Sequence, residues 1–578
     1  ARSPAPGVLR NSPGRWTKRS EEMRAALILL LAAAYVVALI PAQSNACSDH
    51  AAEEAEDPSS CADGESPDLD PVVKQWIMDL DTDSSYIGGR WVKSEGSEDT
   101  IRVIDPSAGN EIAKVRVASK DDVDLAVKAA RKAWSSWSFD TPLSKRRELV
   151  SRLLDLYNEQ DERMAQLMSH EMGSPITEAR EAQVGSGSFA MEQFLYETDD
   201  GDFEETFDIG GDTAIIHESI GVAALITPWN WPMSQVALKV IPALLVGCTV
   251  VLKPSEEAPL SALLFGQMIH AAGFPPGVFN LVNGYGRDHA GEWLSSHPGV
   301  DMVSFTGSTR AGREVSASAA PTLKRVSLEM GGKGANIIFD DVIGDDGDMS
   351  DFQSAVEEGV YDAMNNSGQT CNAPTRLLVP EEHWQYALDV ARDAALATEV
   401  ASSHDEGDHI GPVVSLAQYE RVQRYIRLGI EEGATLIAGG PGKPIAPDDD
   451  PDLQRTYDSG YYVRPTLFAN CTKTMTVWRE EIFGPVLCVT PYRTEDEAVG
   501  LANDTPYGLT NYVHTYDETR RRRLARKLRS GMVVFNGVGQ APNAPFGGVG
   551  QSGNSREGGV WGLEDYCVAK SVSGMNTK

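Results

Sequence analysis

The stretch Asn365-Asn366-Ser367-Gly368-Gln369-Thr370-Cys371-Asn372-Ala373-Pro374-Thr375-Arg376 sets a single thiol between a glycine and a proline. A cysteine attacks as its thiolate, which at an ordinary pKa of about 8.5 is a few per cent of the population near neutrality. A catalytic Cys371 therefore needs a base, a donor for the oxyanion formed when sulfur adds to a carbonyl, and a cofactor site; without them it reads as a buried structural thiol. Gly368 permits close backbone approach and Pro374 stops a helix from running on. The sulfur is thus expected on an irregular segment after a helix over 352–364. Elsewhere, Leu328-Glu329-Met330-Gly331-Gly332-Lys333 sets a carboxylate ahead of two glycines, where backbone can come close.

Elements far apart in the chain have to position these groups. From residue 222 on, short apolar runs at 222–226, 249–252, 278–282 and 300–305 alternate with helical stretches at 234–246, 261–272 and 289–296. That rhythm predicts a parallel sheet covered on both faces, which binds ligands beyond the carboxyl ends of its strands. Three strand ends carry distinctive residues: Thr227-Pro228-Trp229-Asn230-Trp231-Pro232, Lys253-Pro254-Ser255-Glu256 and Thr306-Gly307-Ser308-Thr309-Arg310-Ala311-Gly312. The last opens a helix over 310–317, so its backbone N–H groups are placed to hold a pyrophosphate, although it lacks the G-x-G-x-x-G spacing and an ordinary strand–helix turn fits as well. Lys253 and Glu256 either bind the two hydroxyls of an adenosine ribose or form a surface ion pair. A carboxylate there repels a 2′-phosphate, which favours NAD over NADP. Upstream, 86–91 and 100–104 read as strands, while 121–137 and 144–171 repeat apolar residues at helical spacing, with Trp134 and Trp137 read as core.

With 578 residues, 41% hydrophobic and 23% charged, the chain is long enough for two or three domains. A formal charge of −33 and a pI near 4.7 argue against nucleic acid and anionic membrane surfaces as partners. The basic run at 520–529 reads instead as an amphipathic helix with a solvated face, Leu524 and Leu528 lying four apart. The 7 cysteines are scattered without a C-x-x-C pair and the 10 histidines are read as never falling at metal-ligand spacing, so neither a disulfide scaffold nor a metal site is expected. Met23-Arg24, the uncharged residues 25–40 and Ser44-Asn45-Ala46 read as a signal peptide, with an uncleaved membrane anchor as the alternative. Residues 47–71 are acidic, without Lys or Arg, and are expected to be disordered, with Cys47 and Cys61 either paired or free. This leader points to the secretory pathway or a membrane-anchored form, with the cytoplasm as the alternative. Sequons at Asn365, Asn470 and Asn503 weigh against a lumen, since glycans there would disrupt the chain.

Taken in order, 227–232, 253–256, 305–312, 328–333, 368–376, Glu480-Glu481-Ile482-Phe483-Gly484-Pro485 and Pro545-Phe546-Gly547-Gly548 closely resemble the signature segments of the NAD(P)-dependent aldehyde dehydrogenase superfamily. Asn503-Asp504-Thr505-Pro506-Tyr507-Gly508-Leu509-Thr510 adds another, and the likeness runs from about Tyr86 to Lys570. The resemblance implies an α/β fold: a doubly wound parallel-sheet coenzyme domain, a related α/β catalytic domain and a β-hairpin oligomerisation element. With 1–46 read as flanking sequence and leader and 47–71 as the acidic segment, it assigns 72–200 and 220–331 to the coenzyme domain and 332–552 to the catalytic domain. The oligomerisation element takes 201–219 and 560–578: a hairpin turning at Gly210-Gly211, and a strand at 567–573 completing an intersubunit sheet of a homodimer or homotetramer.

The likeness also implies a reaction. Cys371 attacks a small-molecule aldehyde to give a thiohemiacetal, hydride passes to the nicotinamide, and water hydrolyses the thioester. Addition comes first because an aldehyde gives up hydride only once its carbon is tetrahedral and electron-rich. By the same likeness the Asn230 amide and the Cys371 backbone N–H form the oxyanion hole, and Glu329 is the general base for the deacylating water. Glu481 holds the nicotinamide ribose, Phe483 packs beside the nicotinamide, and Thr227, Trp229, Lys253, Glu256, Gly307 and Ser308 line the coenzyme's course. A retained Glu329 implies a carboxylic acid product, since acyl-CoA-forming members dispense with that base. The alternatives are a semialdehyde or betaine-aldehyde specialist, with Arg376 either meeting a substrate carboxylate or bracing the cysteine loop, and a retired homologue kept for binding. Three features depart from the family pattern. The acidic stretch 340–348 is longer than expected and reads as a surface loop, Gly550 stands where Lys is usual, and Ser555 replaces a common glycine.

Overall fold

The computed structural model describes residues 69–94, 98–199, 207–210, 213–541 and 543–574. The expected leader, most of the acidic segment with Cys47 and Cys61, and the Gly211 side of the hairpin turn lie outside the described residues. Among the described residues no helix is long and apolar enough to cross a membrane.

Two seven-stranded sheets position the site. In the first, the strands lie in the order Arg325–Met330, Met302–Gly307, Val222–Ile226, Thr249–Lys253, Phe279–Leu281, Ser84–Ile87 and Arg90–Lys93. The first five run parallel, and Ser84–Ile87 joins them antiparallel. Val222–Ile226 and Thr249–Lys253 are buried along their whole length, which is why they read as unbroken apolar runs rather than as alternation. Val250 packs into the apolar cluster containing Val236 and Val240 of the helix Pro232–Leu245, whereas its neighbour Val251 faces Val123 and Val127 of the helix Lys120–Ser135. Successive side chains of a strand point to opposite faces, so both faces of this sheet are covered.

The second sheet runs Thr435–Ala438, Thr466–Ala469, Val486–Tyr492, Arg376–Pro380, Ala335–Ile338, Thr510–His514, Met532–Phe535, parallel except for its first strand. A third sheet joins Phe207–Gly210, Thr213–Ser219 and Cys567–Ser573, and the C-terminal strand pairs within the chain from Cys567 opposite Ser219 to Ser573 opposite Thr213.

The periodic stretch 144–171 is two helices, Leu143–Asn158 and Asp161–Met172. Gln160 leaves helical geometry at φ −113° between them, and the apolar stripe continues on both sides without Gly or Pro, so periodicity alone hides the break. Asp161 and Glu162 in the first turn are the legible mark of the second helix start. The basic run forms the helix Glu518–Lys527, with Leu524 and Leu528 buried and Arg523 reaching both Glu495 oxygens at 2.6 Å. The acidic stretch is only partly a surface loop. Residues 344–348 are exposed, but the Asp341 carboxylate accepts from Thr515 Oγ1 (2.8 Å), Tyr516 N (3.0 Å) and Asp517 N (2.8 Å), and meets Arg520 at 2.7 Å.

Candidate active site

The parallel register of the first sheet gathers its sequence-predicted residues along one edge. Ile226 lies opposite Lys253, Phe305 opposite Ile226, Thr306 opposite Glu329 and Gly307 opposite Met330. The segments that follow these strands, carrying Thr227 to Asn230, Glu256, Ser308 and Gly331, therefore emerge side by side. Lys253 stands three strands from Glu329, a span of roughly 14 Å at strand spacing. This edge thus has the length for both ends of an extended ligand.

Cys371 follows the helix Ser350–Met364 on irregular chain. Asn366, Ser367 and Gly368 are consecutively left-handed, with φ of 50°, 56° and 70°. Such backbone costs about 1–3 kcal/mol per non-glycine residue and persists only where the surroundings impose it. Here the Asn230 carbonyl accepts from Asn366 Nδ2 at 2.9 Å, the Ser367 hydroxyl donates to Gly411 O at 2.7 Å, and Gln369 Oε1 accepts from Val414 N at 2.9 Å. Gly368 lies so close to Gly484 and Pro485 that no side chain fits. The Asn230 amide donates to Gln369 O at 2.9 Å, which anchors it two residues before the sulfur, and Trp231 Nε1 reaches Thr370 Oγ1 at 3.3 Å. An amide carries two N–H bonds, so one remains for a ligand.

Glu329 is fully buried, and neither carboxylate oxygen has an ordinary hydrogen-bond partner among the described residues. Burial, then the nearby Glu557 carboxylate, pushes its pKa well above the usual range, while the Lys239 ammonium and the weak thiol donor of Cys371 pull the other way. Burial likewise raises the Cys371 thiol, followed by the charges of Glu329, Glu481 and Glu557. Both shifts favour the protonated forms, so activating the pair requires a proton to leave. Behind Glu329, Lys239 and Glu557 form a buried ion pair, with Lys239 Nζ also 3.2 Å from Ser304 Oγ. Motif reading passed over both residues. The available signal was a lysine in the middle of the otherwise uncharged helix Pro232–Leu245.

The coenzyme-side residues fall into two groups. At one end, buried Lys253 Nζ donates to Pro254 O at 2.6 Å and lies 3.3 Å from Glu256, while Ser308 caps the helix Thr309–Ala319 by accepting from Ala311 N. At the other, the Glu481 carboxylate lies over Gly331 and Gly332, where a methyl on Gly331 would strike it, and accepts from Gly332 N at 3.2 Å. Burial pushes Glu481 up to about 7. Phe483, left-handed at φ 63°, packs edge-on to Trp229 with ring centres 5.4 Å apart.

Arg376 is fully buried and donates to the carbonyls of Lys333, Leu501 and Ala502 at 2.8–2.9 Å, its guanidinium over Trp478. It braces the strand after the cysteine and is closed to substrate. The two glycine-loop departures lie on the segment that clamps the Glu329 strand, where Ser552 Oγ donates to Gly331 O and Ser555 N to Leu328 O. Gly550, at φ 63°, sits against Pro506 O where a Cβ would come within 2.8 Å, and the Ser555 hydroxyl is buried without a partner among the described residues.

A cavity of about 460 Å³ opens onto Cys371, walled by Phe189, Trp231, Leu238, Asp362, Tyr512 and Phe546 among others. Burial, then Glu358, pushes the Asp362 carboxyl up to about 7.

A family model described as the aldehyde dehydrogenase family matches residues 91–572. A curated relative from a Pseudomonas species, named 3-succinoylsemialdehyde-pyridine dehydrogenase, is 44% identical over 492 residues, 85% of this chain and 98% of that protein. Among solved structures, an aldehyde dehydrogenase from Bartonella henselae is 47% identical at a TM-score of 0.79, covering 85% of this chain and 98% of its own. A mutant of aldehyde dehydrogenase C from Pseudomonas syringae, complexed with NAD+ and octanal, is 42% identical at a TM-score of 0.81, covering 88% and 99%.

Proposed function

Because the chain belongs to the aldehyde dehydrogenase family, we propose that it oxidises an aldehyde to a carboxylic acid through a thioester on Cys371. The observation that carries this reading is a half-buried thiol that lines the cavity, with an unsatisfied buried carboxylate beside it and an amide anchored two residues before it. NAD+ fits the sheet edge: Lys253 and Glu256 suit the ribose hydroxyls, the helix end capped by Ser308 a pyrophosphate, and Glu481 over its paired glycines a second ribose. When bound it supplies the acceptor for the hydride. In this reading Thr227, Trp229, Gly307 and Phe483 shape the same course. We assign 72–200 and 220–331 to the coenzyme domain and 332–552 to the catalytic domain.

Cys371 loses its proton and its sulfur bonds to the carbonyl carbon, turning the carbonyl oxygen into an oxyanion held by Asn230 and the Cys371 backbone N–H. Collapse of the oxyanion with loss of hydride leaves a thioester. Glu329, once deprotonated, takes a proton from the attacking water, and expulsion of sulfur frees the acid and restores the thiol. Cys371→Ala is expected to abolish NADH formation. Glu329→Gln is expected to give at most one stoichiometric burst, with steady turnover down about 10²–10⁴-fold; undiminished turnover would remove Glu329 from the base role.

The substrate class follows from the cavity. Its aromatic walls carry Asp362, and no Lys or Arg stands among the described lining residues, so a substrate carboxylate would be unpaired there. We assign a neutral aldehyde with an aromatic or medium-length apolar tail. A relative named for a pyridine semialdehyde and another crystallised with octanal support this choice. In an NADH absorbance assay, kcat/KM for octanal and benzaldehyde should exceed that for succinate semialdehyde at least about tenfold. The opposite order would overturn the substrate class and leave the chemistry standing.

A further inference from the structure

Away from the cavity, two imidazoles and a carboxylate converge from three separated parts of the chain. Asp105 directly follows the strand Thr100–Ile104, His170 lies in the last turn of the helix Asp161–Met172, and His404 belongs to the loop after Val400. His170 Nδ1 is 3.0 Å and His404 Nε2 2.9 Å from the same oxygen, Asp105 Oδ2, and one donor atom from each residue lies within 4.8 Å of the others. The rings overlap with centres 4.0 Å apart.

The surroundings hold this triad in place. The second carboxylate oxygen of Asp105 accepts from Ser107 N at 2.8 Å. Ser107 and Ser403 share a hydroxyl contact of 2.7 Å, Ser403 N donates to Ser107 Oγ at 2.9 Å, and Ser169 Oγ donates to Ser403 O at 2.9 Å. Thus Ser403, the neighbour of His404, ties its loop to the stretches that carry the other two candidate ligands. Ile176 N, at 2.7 Å from Ser403 O, and His409, at 2.9 Å from Ser402 O, fix the loop further. Asp105 and His170 are buried, whereas the His404 side chain is 34% exposed, which leaves one flank open to a water ligand.

We propose that Asp105, His170 and His404 form a site for a divalent transition-metal ion of the zinc class, clasping the loop at 401–409 to the helix and strand beneath it. Metal–nitrogen and metal–oxygen bonds of about 2.0–2.2 Å at tetrahedral angles separate donors by roughly 3.3 Å, so the ion enters if the donors part by a few tenths of an ångström. Two nitrogens and one oxygen select zinc, cobalt or nickel over magnesium and calcium. The ion takes no part in aldehyde chemistry. Local-spacing rules are blind to this triad because its members stand 65 and 234 residues apart.

The test uses the full chain, without a histidine tag, as the Cys371→Ala variant so that the reactive thiol does not compete for metal. After chelator treatment, cobalt(II) titration should give visible d–d absorption saturating at one equivalent, and excess zinc chloride should raise the thermal midpoint by several degrees. His404→Gln, altered at the exposed ligand, should lose both effects while keeping the metal-free midpoint. His404→Asp, which retains a ligand, should bind one cobalt with a changed spectrum. Absence of the bands in the parent chain, or bands that survive unchanged in both His404 variants, would overturn the site and leave the triad a hydrogen-bonded bridge.

Discussion

Glu329 sits at the centre of the titration behaviour. Its folded-state pKa is raised, so the acid form dominates below that value and the base form needed for deacylation grows as pH rises through it. Steady-state kcat should therefore climb along an acid limb set by Glu329. Glu557 raises that pKa by like-charge repulsion and Lys239 lowers it. Glu557→Gln removes the repulsion and leaves Lys239 uncompensated, so its kcat limb should move to lower pH, and Lys239→Met should move it to higher pH. Limbs that stay fixed in both variants would show that another group controls the rate. Asn230→Ala should cost about 10²–10³ in kcat, the usual effect of losing one oxyanion donor, and should also lower the thermal midpoint, since the buried bond to Gln369 O goes with it.

At the scale of elements, the left-handed run Asn366–Gly368 decides where the sulfur sits. Gly368→Ala would drive a methyl into the Gly484–Pro485 backbone at a φ that disfavours it, a loss of at least about 1–3 kcal/mol. Its unfolding midpoint should fall and labelling of Cys371 by iodoacetamide should change; a variant matching the parent in both would show that the coil is not fixed by that contact. The parallel strands and their distinctive ends were legible because alternation of apolar runs and helices is local, and the same strand ends carried Lys253, Ser308 and Glu329. The coil's conformation was not: nothing in Asn366 or Ser367 demands positive φ, and the bonds imposing it come from Asn230, Gly411 and Val414. The Lys239–Glu557 pair was hidden for the same reason, since it joins distant segments, whereas the break at Gln160 was masked by an apolar stripe that continues on both sides.

The whole molecule carries a formal charge of −33, and several buried carboxylates add to the strain of deprotonation. Glu171, Glu178, Glu257, Asp362 and Glu481 all have pKa values raised to about 7, chiefly by burial. Between their ordinary values and 7 the folded state binds more protons than the unfolded, so stability falls as pH rises through that window and the loss is complete above it. His514, pushed down to about 4 by burial, sets the opposite limb: stability falls as pH drops below the ordinary imidazole value. Calorimetry should accordingly find a midpoint several degrees higher near about pH 6 than near about pH 8.5, with added salt narrowing the gap by screening self-repulsion. A midpoint that rises from the lower to the higher pH would contradict these shifts. The coil that holds Cys371 draws its restraints from Gly411, Val414, Gly484 and Asn230, and from the wall residue Trp231, but not from Phe189, Leu238 or Phe546. Part of the wall is thus free of the nucleophile's supports, and a designer seeking a new tail specificity can exchange those three hydrophobic positions, leaving Trp231 in place, without cutting a bond that holds the reactive sulfur.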